Sequence, residues 1–278
     1  MINLNPFDVF LWTLRRNEKD VVNLYNTLSP VMQTATGGSM LNFGYWDDAN
    51  IDPISAQENL CSLFGNMSEL DSAKLALDVG SGLSAPAIFW RNNYPRLSLA
   101  CININNSQLR FCGPERNMEF VASSSTLLPF AESSVDRVLA LESAQHFKPL
   151  SKFISESKRV LSSSGILTMA IPVVMDSASI SKLGILKFTW SSEHYGIENI
   201  RKTIDDSGFK IIKESMIGSS VYEPLAQYYL DNRDTMKKLI QKQYSSFVES
   251  VLFRSLQKMA QASKEKIIEY TLLKCKIT

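Results

Sequence analysis

Leu75-Ala-Leu-Asp-Val-Gly-Ser-Gly-Leu-Ser-Ala-Pro86 decides the fold. An apolar run ends in an acid, and two glycines separated by one residue lead into a segment compatible with a helix. Glycine tolerates positive φ and lets the backbone approach a bulky ligand, while the start of the following helix turns unpaired N–H groups toward the ligand's polar part. The stretch therefore predicts a strand, a tight turn and a helix around a cofactor. Gly80-x-Gly82-x-x-Ala85 also satisfies the dinucleotide fingerprint, so by itself the turn leaves open a nicotinamide dehydrogenase and an ordinary strand-to-helix connection.

Downstream, short aliphatic runs alternate with helical patterns. Strands are predicted at Leu75 to Val79, Leu97 to Ile102, Glu119 to Ala122, Val135 to Leu141 and Ile166 to Ile171, with helices near 85–93, 106–111 and 150–161. That alternation predicts parallel strands joined by crossover helices. A helix over Gly196 to Ser207, stopped by Gly208, precedes a strand at Phe209 to Ile217. Ile240, Tyr244, Phe247, Val248, Val251, Leu252, Leu256 and Met259 then follow a helical spacing before the last strand, Lys266 to Ile277. Upstream, Phe7, Phe10, Leu11, Leu14, Val21, Leu24, Tyr25 and Leu28 predict one or two helices, Thr34 to Asp48 a loop rich in turn formers and aromatics, and residues 54–70 another helix.

The bulk properties narrow the function. A chain of 278 residues that is 45% hydrophobic buries a full core, and a formal net charge of +1 supplies no whole-protein field for nucleic acid or membranes. Small-molecule work is the expectation. Cys61, Cys101, Cys112 and Cys275 form no Cys-x-x-Cys pair and read as buried thiols. No basic segment followed by an apolar run opens the sequence, and no apolar run approaches the ~20 residues of a membrane span, so a cytoplasmic protein without integral membrane contact is expected. No His, Cys, Asp and Glu cluster has metal-ligand spacing, and no metal is predicted.

Three further stretches carry chemistry. Ile102-Asn-Ile-Asn-Asn-Ser-Gln108 follows the second strand, Ala122-Ser-Ser-Ser-Thr-Leu-Leu-Pro-Phe130 the third, and Val138-Leu-Ala-Leu-Glu-Ser-Ala-Gln-His-Phe147 forms the fourth strand and the loop leaving it. In open α/β sheets that strand end is where ligands sit. His146 is one of two histidines, and imidazole is the side chain best suited to take a hydroxyl proton near neutral pH.

With the glycine turn, the order of elements resembles class I S-adenosylmethionine-dependent methyltransferases. The likeness runs from about Tyr25 to the last strand and is closest to the branch of natural-product sugar O-methyltransferases, with a looser likeness to cyclopropane fatty acid synthases. It implies an α/β, Rossmann-like seven-stranded sheet whose last strand is antiparallel. The implied organisation is an N-terminal helical cover with a cofactor-closing loop (1–70), the methyltransferase core (71–218), a helical lid insertion (219–264) and the last core strand (265–278).

The resemblance assigns S-adenosyl-L-methionine to Asp78, Gly80, Ser81, Gly82, Asn103, Ile104, Gln108, Ser124, Ser125 and Leu141, with Tyr25, Tyr45 and Trp46 closing over its methionine end. Ser84 stands where a third glycine is usual and, before Ala85-Pro86, suits a helix N-cap. Asn103 replaces an acid that grips the ribose, and a glutamine five residues later, here Gln108, accompanies a neutral residue at that position. Ser124 stands where an aspartate usually receives the adenine amino group. The resemblance makes His146 the general base for O-methylation, and an acid that helps it in some relatives falls at Ile171. Glu142 orients the loop or a substrate, and His194 lies in the segment where relatives build the acceptor wall. The expected partner is a small-molecule acceptor and no nucleic acid, for a monomer or homodimer. Two alternatives stand beside methyl transfer: a degenerate member that binds the cofactor or a related ligand without transfer, motivated by Ser84, Asn103 and Ser124, and a cyclase on the same fold.

Overall fold

The computed structural model describes residues 17–47, 52–111 and 117–278. Phe7, Phe10, Leu11, Leu14, Asp48 and Cys112, named above, lie outside them. Among the described residues seven strands form one sheet: β1 (Leu75–Val79), β2 (Ser98–Asn103), β3 (Met118–Ala122), β4 (Val135–Leu141), β5 (Leu161–Val174), β6 (Phe209–Met216) and β7 (Ile268–Ile277). Their order is β3-β2-β1-β4-β5-β7-β6. The first five pair in parallel, and β7 runs antiparallel to both β5 and β6.

Helices cover both faces because the strands alternate apolar side chains between them. On one face Ala76, Leu99 and Cys101 meet α2 (Pro53–Met67) and α3 (Ala85–Asn93), where Leu60, Phe64 and Trp90 are fully buried. Trp90 also satisfies its indole N–H by donating to the Cys61 carbonyl at 2.8 Å. On the other face Leu77, Val79, Ala100 and Ile102 meet α5 (Leu150–Val160) and α7 (Ile197–Asp206) through Phe153, Ile154, Ile200 and Ile204. Each such fully buried aliphatic or Phe side chain contributes roughly 2 kcal/mol. The short helices α4 (Asn106–Leu109) and α6 (Leu186–Thr189) fill connections.

A third apolar cluster lies off the sheet. It joins α1 (Glu18–Thr36) to α8 (Tyr222–Asp231), α9 (Arg233–Gln241) and α10 (Ser246–Lys264) through Val31, Tyr229, Met236, Ile240, Tyr244 and Leu256. The α1 helix runs through Thr36, so the loop predicted from Thr34 starts later. Met32 and Ala35 extend its apolar stripe, and Gly37 in the left-handed region closes it by donating to the Gln33 carbonyl.

Candidate active site

The chain leaves β1 toward β2 and leaves β4 toward β5, so a crevice opens where β1 and β4 lie side by side. At their C-terminal ends lies a cavity of about 120 Å³ lined by Gly80, Ser81, Gly82, Asn103, Ile104, Gln108, Ser125, Leu141 and His146, among others. Nine residues assigned from sequence therefore meet there, and Tyr25 joins them from α1.

The turn is held by its backbone. The Ile102 carbonyl accepts from the N–H groups of Gly80 at 2.7 Å and Ser81 at 3.1 Å. Gly80 has φ +77°, and a Cβ there would stand 2.5 Å from that of Ser143, itself anchored by donating to the Val79 carbonyl. Ser84 is buried with φ 58°, which explains why glycine suits this position. The N-cap bond expected of Ser84 does not form, and its hydroxyl pairs with that of Ser81 at 3.2 Å. Asp78 lies buried beneath the turn, outside the cavity wall, and one carboxyl oxygen has no hydrogen-bond partner. Burial alone pushes its pKa up to about 7.

Asn103 and Gln108 are bonded to each other. The Asn103 amide donates to Gln108 Oε1 at 3.0 Å and to the Gly82 carbonyl at 3.1 Å, tying the glycine turn to the end of β2. Gln108 then donates to Ser29 Oγ on α1 at 3.0 Å. The same helix accepts from Asn105 through Asn26 at 2.8 Å and from Ser124 through Glu18 at 2.5 Å. Glu18, Asn26 and Ser29 share one face of α1 by helical spacing.

A second, larger cavity of about 270 Å³ adjoins the first. Leu24, Leu28, Val31 and Met32 of α1 form one wall, and Leu225, Tyr228, Val248, Val251 and Leu252 of α8 and α10 form another. Tyr25, Leu41, Asn42, Glu142 and His146 line both cavities and mark their junction.

His146 sits in a short 3₁₀ turn after β4, held on both sides. Its Nε2 lies 2.8 Å from the Tyr25 hydroxyl and its Nδ1 lies 2.5 Å from Ser192 Oγ. With its proton assigned to Nδ1, the ring donates to Ser192 and accepts at Nε2. Ile171 is buried in the core of the sheet and Ser192 stands beside the ring, a role the sequence did not disclose. Glu142, left-handed at φ 51°, accepts from the Phe43 N–H at 2.9 Å and the Tyr270 hydroxyl at 2.8 Å. Those bonds lower its pKa, but burial outweighs them and raises it to about 8.

Like Asp78, Ser84 and Ile171, four more residues singled out in the sequence line neither cavity. Tyr45 and Trp46 belong to a loop whose N–H groups bond the Ala56 and Ser220 carbonyls, which holds it against α2 and the turn before α8. The Trp46 ring packs 5.4 Å from Tyr228. Ser124 is turned toward Glu18, which takes its place on the cavity wall. His194 stacks on Trp190, 6.0 Å between ring centroids, and it is Trp190 that lines the larger cavity.

A parallel sheet with an antiparallel seventh strand, a glycine turn at the switch point and two cavities meeting at one histidine define a class I methyltransferase fold. The comparisons agree. A methyltransferase domain family matches residues 77–169, from β1 into β5. The chain is similar in sequence and fold to class I S-adenosylmethionine-dependent methyltransferases. It is 25% identical to the erythromycin 3''-O-methyltransferase of Saccharopolyspora erythraea over 264 residues, 88% of this chain and 86% of that protein. By fold it is similar to the cyclase SpnF, with TM-score 0.75, 18% identity and 94% and 97% of the two chains covered. The cyclopropane synthase MmaA2 of Mycobacterium tuberculosis has TM-score 0.77 and 13% identity, with 90% and 95% covered.

The smaller cavity suits such a cofactor chemically. Among the described residues that line it are two carboxyl side chains, Glu18 and Glu142, and no lysine or arginine. Burial keeps Glu142 and the underlying Asp78 near neutrality, so a positively charged ligand stabilises their ionised forms. Among the described residues no helix is long and apolar enough to cross a membrane.

Proposed function

We propose that the smaller cavity holds S-adenosylmethionine and that the chain O-methylates a neutral, largely apolar small molecule in the larger one. When bound, this cofactor supplies a methyl group already activated by a sulfonium. Gly80 to Gly82 admit its methionine part, Asn103 and Gln108 receive its ribose, and Ser125, Ile104 and Leu141 bound the rest. The protein then has to align the partners, exclude water and take one proton.

One observation carries the reading: His146 is the histidine on the wall of both cavities, with Nε2 at their junction and Nδ1 on Ser192. Tyr25 marks the place of an acceptor hydroxyl at Nε2. When the acceptor takes that place, His146 accepts its proton while Ser192 steadies the imidazolium through Nδ1–H. Described lining residues of the larger cavity include no lysine or arginine, which disfavours a phosphorylated or carboxylated acceptor.

Calorimetric titration of the full chain with S-adenosylmethionine and S-adenosylhomocysteine is the first test. Binding is expected, and no heat from either ligand at millimolar concentration sinks the reading. With labelled S-adenosylmethionine and a panel of neutral apolar alcohols, His146→Ala is expected to lower methyl transfer about 10²- to 10⁴-fold at unchanged S-adenosylhomocysteine affinity. Turnover at the wild-type rate removes the base assignment. A second reading, cofactor binding without transfer, is favoured by the Tyr25 hydroxyl on Nε2, and it predicts binding with no labelled product across the panel.

A further inference from the structure

The end of the smaller cavity bounded by Ser123 and Ser125 receives a carboxylate from outside the sheet. Glu18 opens α1, and its position is fixed by the Asn17 side chain, which caps the helix by accepting from the N–H groups of Lys19 and Asp20. From there the Glu18 carboxylate reaches the cavity wall and accepts from Ser124 Oγ at 2.5 Å. Ser124 has nothing left for a ligand. A hydroxyl has one proton and two lone pairs. The proton of Ser124 goes to Glu18, and its oxygen accepts from the Thr126 N–H at 3.3 Å and the Thr126 hydroxyl at 3.0 Å.

We propose that Glu18 receives the exocyclic amine of the cofactor's adenine, doing from the N-terminal helix what position 124 does not do from the sheet. The inference rests on the cofactor reading above. An aromatic amine needs an acceptor, and a carboxylate makes the stronger, charge-assisted bond. Ser124 becomes a positioning residue that aims Glu18. The arrangement also makes adenine recognition depend on α1 being docked, through the same helix that brings Tyr25 to His146 and Ser29 to Gln108.

The test compares the full chain's affinity for S-adenosylhomocysteine with that for S-inosylhomocysteine, which carries an oxygen in place of the amine. Wild type is expected to favour the adenine ligand by about tenfold or more, the scale of one charged hydrogen bond. Glu18→Ala should bring the two to within about twofold by weakening the adenine ligand alone, since the lost charged bond is made only to the amine. In Glu18→Gln the amide can donate to the oxygen, so the inosine ligand should gain affinity. Ser124→Ala should lower the preference in part, since it removes the bond that aims Glu18 but leaves the Asn17 cap that places it. An unchanged preference in Glu18→Ala, or an equal loss for both ligands, overturns the assignment while leaving the cofactor reading intact. Binding of neither ligand by wild type overturns both.

Discussion

The two cavities that meet at His146 are held by different forces. Around the smaller one the glycine turn and its neighbours are fixed by directional bonds: Gly80 to Ile102, Asn103 to Gly82 and Gln108, Ser143 to Val79. Around the larger one the wall is the apolar face of helices, with Leu24, Leu28, Val248, Val251 and Leu252 held by nondirectional packing. Directional bonds tolerate little displacement, whereas a helix face that already borders open volume can lose or exchange methyl groups. The smaller cavity is thus the rigid half and the larger one the half in which specificity is free to vary. The α1 helix belongs to both, presenting Glu18 and Val21 to one and Leu24, Leu28 and Val31 to the other.

The sharpest way to break this comparison is one added carbon on the rigid side. Gly80→Ala puts a Cβ 2.5 Å from that of Ser143 and demands φ +77° of an alanine. Strain and overpacking together are expected to cost about 4 kcal/mol in denaturant unfolding and to abolish S-adenosylhomocysteine binding. A variant with wild-type stability and affinity would show that the turn is plastic.

Glu142, where the two cavities meet, should give the next largest effect, and it depends on pH. Its carboxyl is raised from 4.5 to about 8, so between those values the folded chain keeps a proton that the unfolded chain has lost. Unfolding free energy then falls as pH rises through that window. Glutamine does not titrate and can still accept from Phe43 and Tyr270. Glu142→Gln should therefore gain stability relative to wild type between pH 5 and pH 8, on the order of 3 kcal/mol. Asp78, raised to about 7 by burial, titrates in both proteins, so the difference isolates Glu142. Parallel melting curves at the two pH values decide it, and a gain that is equal at both rules out the raised carboxyl.

The same contrast governs what the sequence discloses. The strands stood out because buried parallel strands are short apolar runs bounded by turns; structure and expectation differ by a residue or two at ends such as Ser98 and Met118, whereas β5 starts five residues before the predicted Ile166 and ends three after the predicted Ile171. Gly80 stood out through turn chemistry and His146 as one of two histidines at a strand end, whereas Asn103 and Gln108 stood out through the resemblance to the methyltransferases. Glu18, Ser29 and Ser192 did not, because a polar residue on a helix or loop reads as a solvated surface until tertiary structure brings it to a cavity, as for Glu18, or to a residue that lines one, as for Ser29 and Ser192. Ser84 misled through a local rule: serine before Ala-Pro suits a cap, but its left-handed backbone sends the hydroxyl to Ser81. Trp46 misled as well, since an aromatic in a glycine-rich loop suggests a lid and here packs against Tyr228.

The smallest expected effect lies on the apolar side and tests its tolerance directly. Leu252 lies on α10, partly buried and bordering the larger cavity, so Leu252→Ala enlarges a volume that already exists rather than opening a new one in the core. Removing a fully buried leucine costs about 2–5 kcal/mol, much of it for the new cavity. Here that part is largely absent, and a loss of about 1 kcal/mol is expected, with S-adenosylhomocysteine affinity unchanged. Because the helices pack against α1 while the glycine turn is bonded to β2, the variant should shift affinity among apolar alcohols of different bulk without touching the smaller cavity. A loss comparable to a core leucine, or weaker S-adenosylhomocysteine binding, would mean that α1 transmits strain from one cavity to the other and that the two halves fold as one unit.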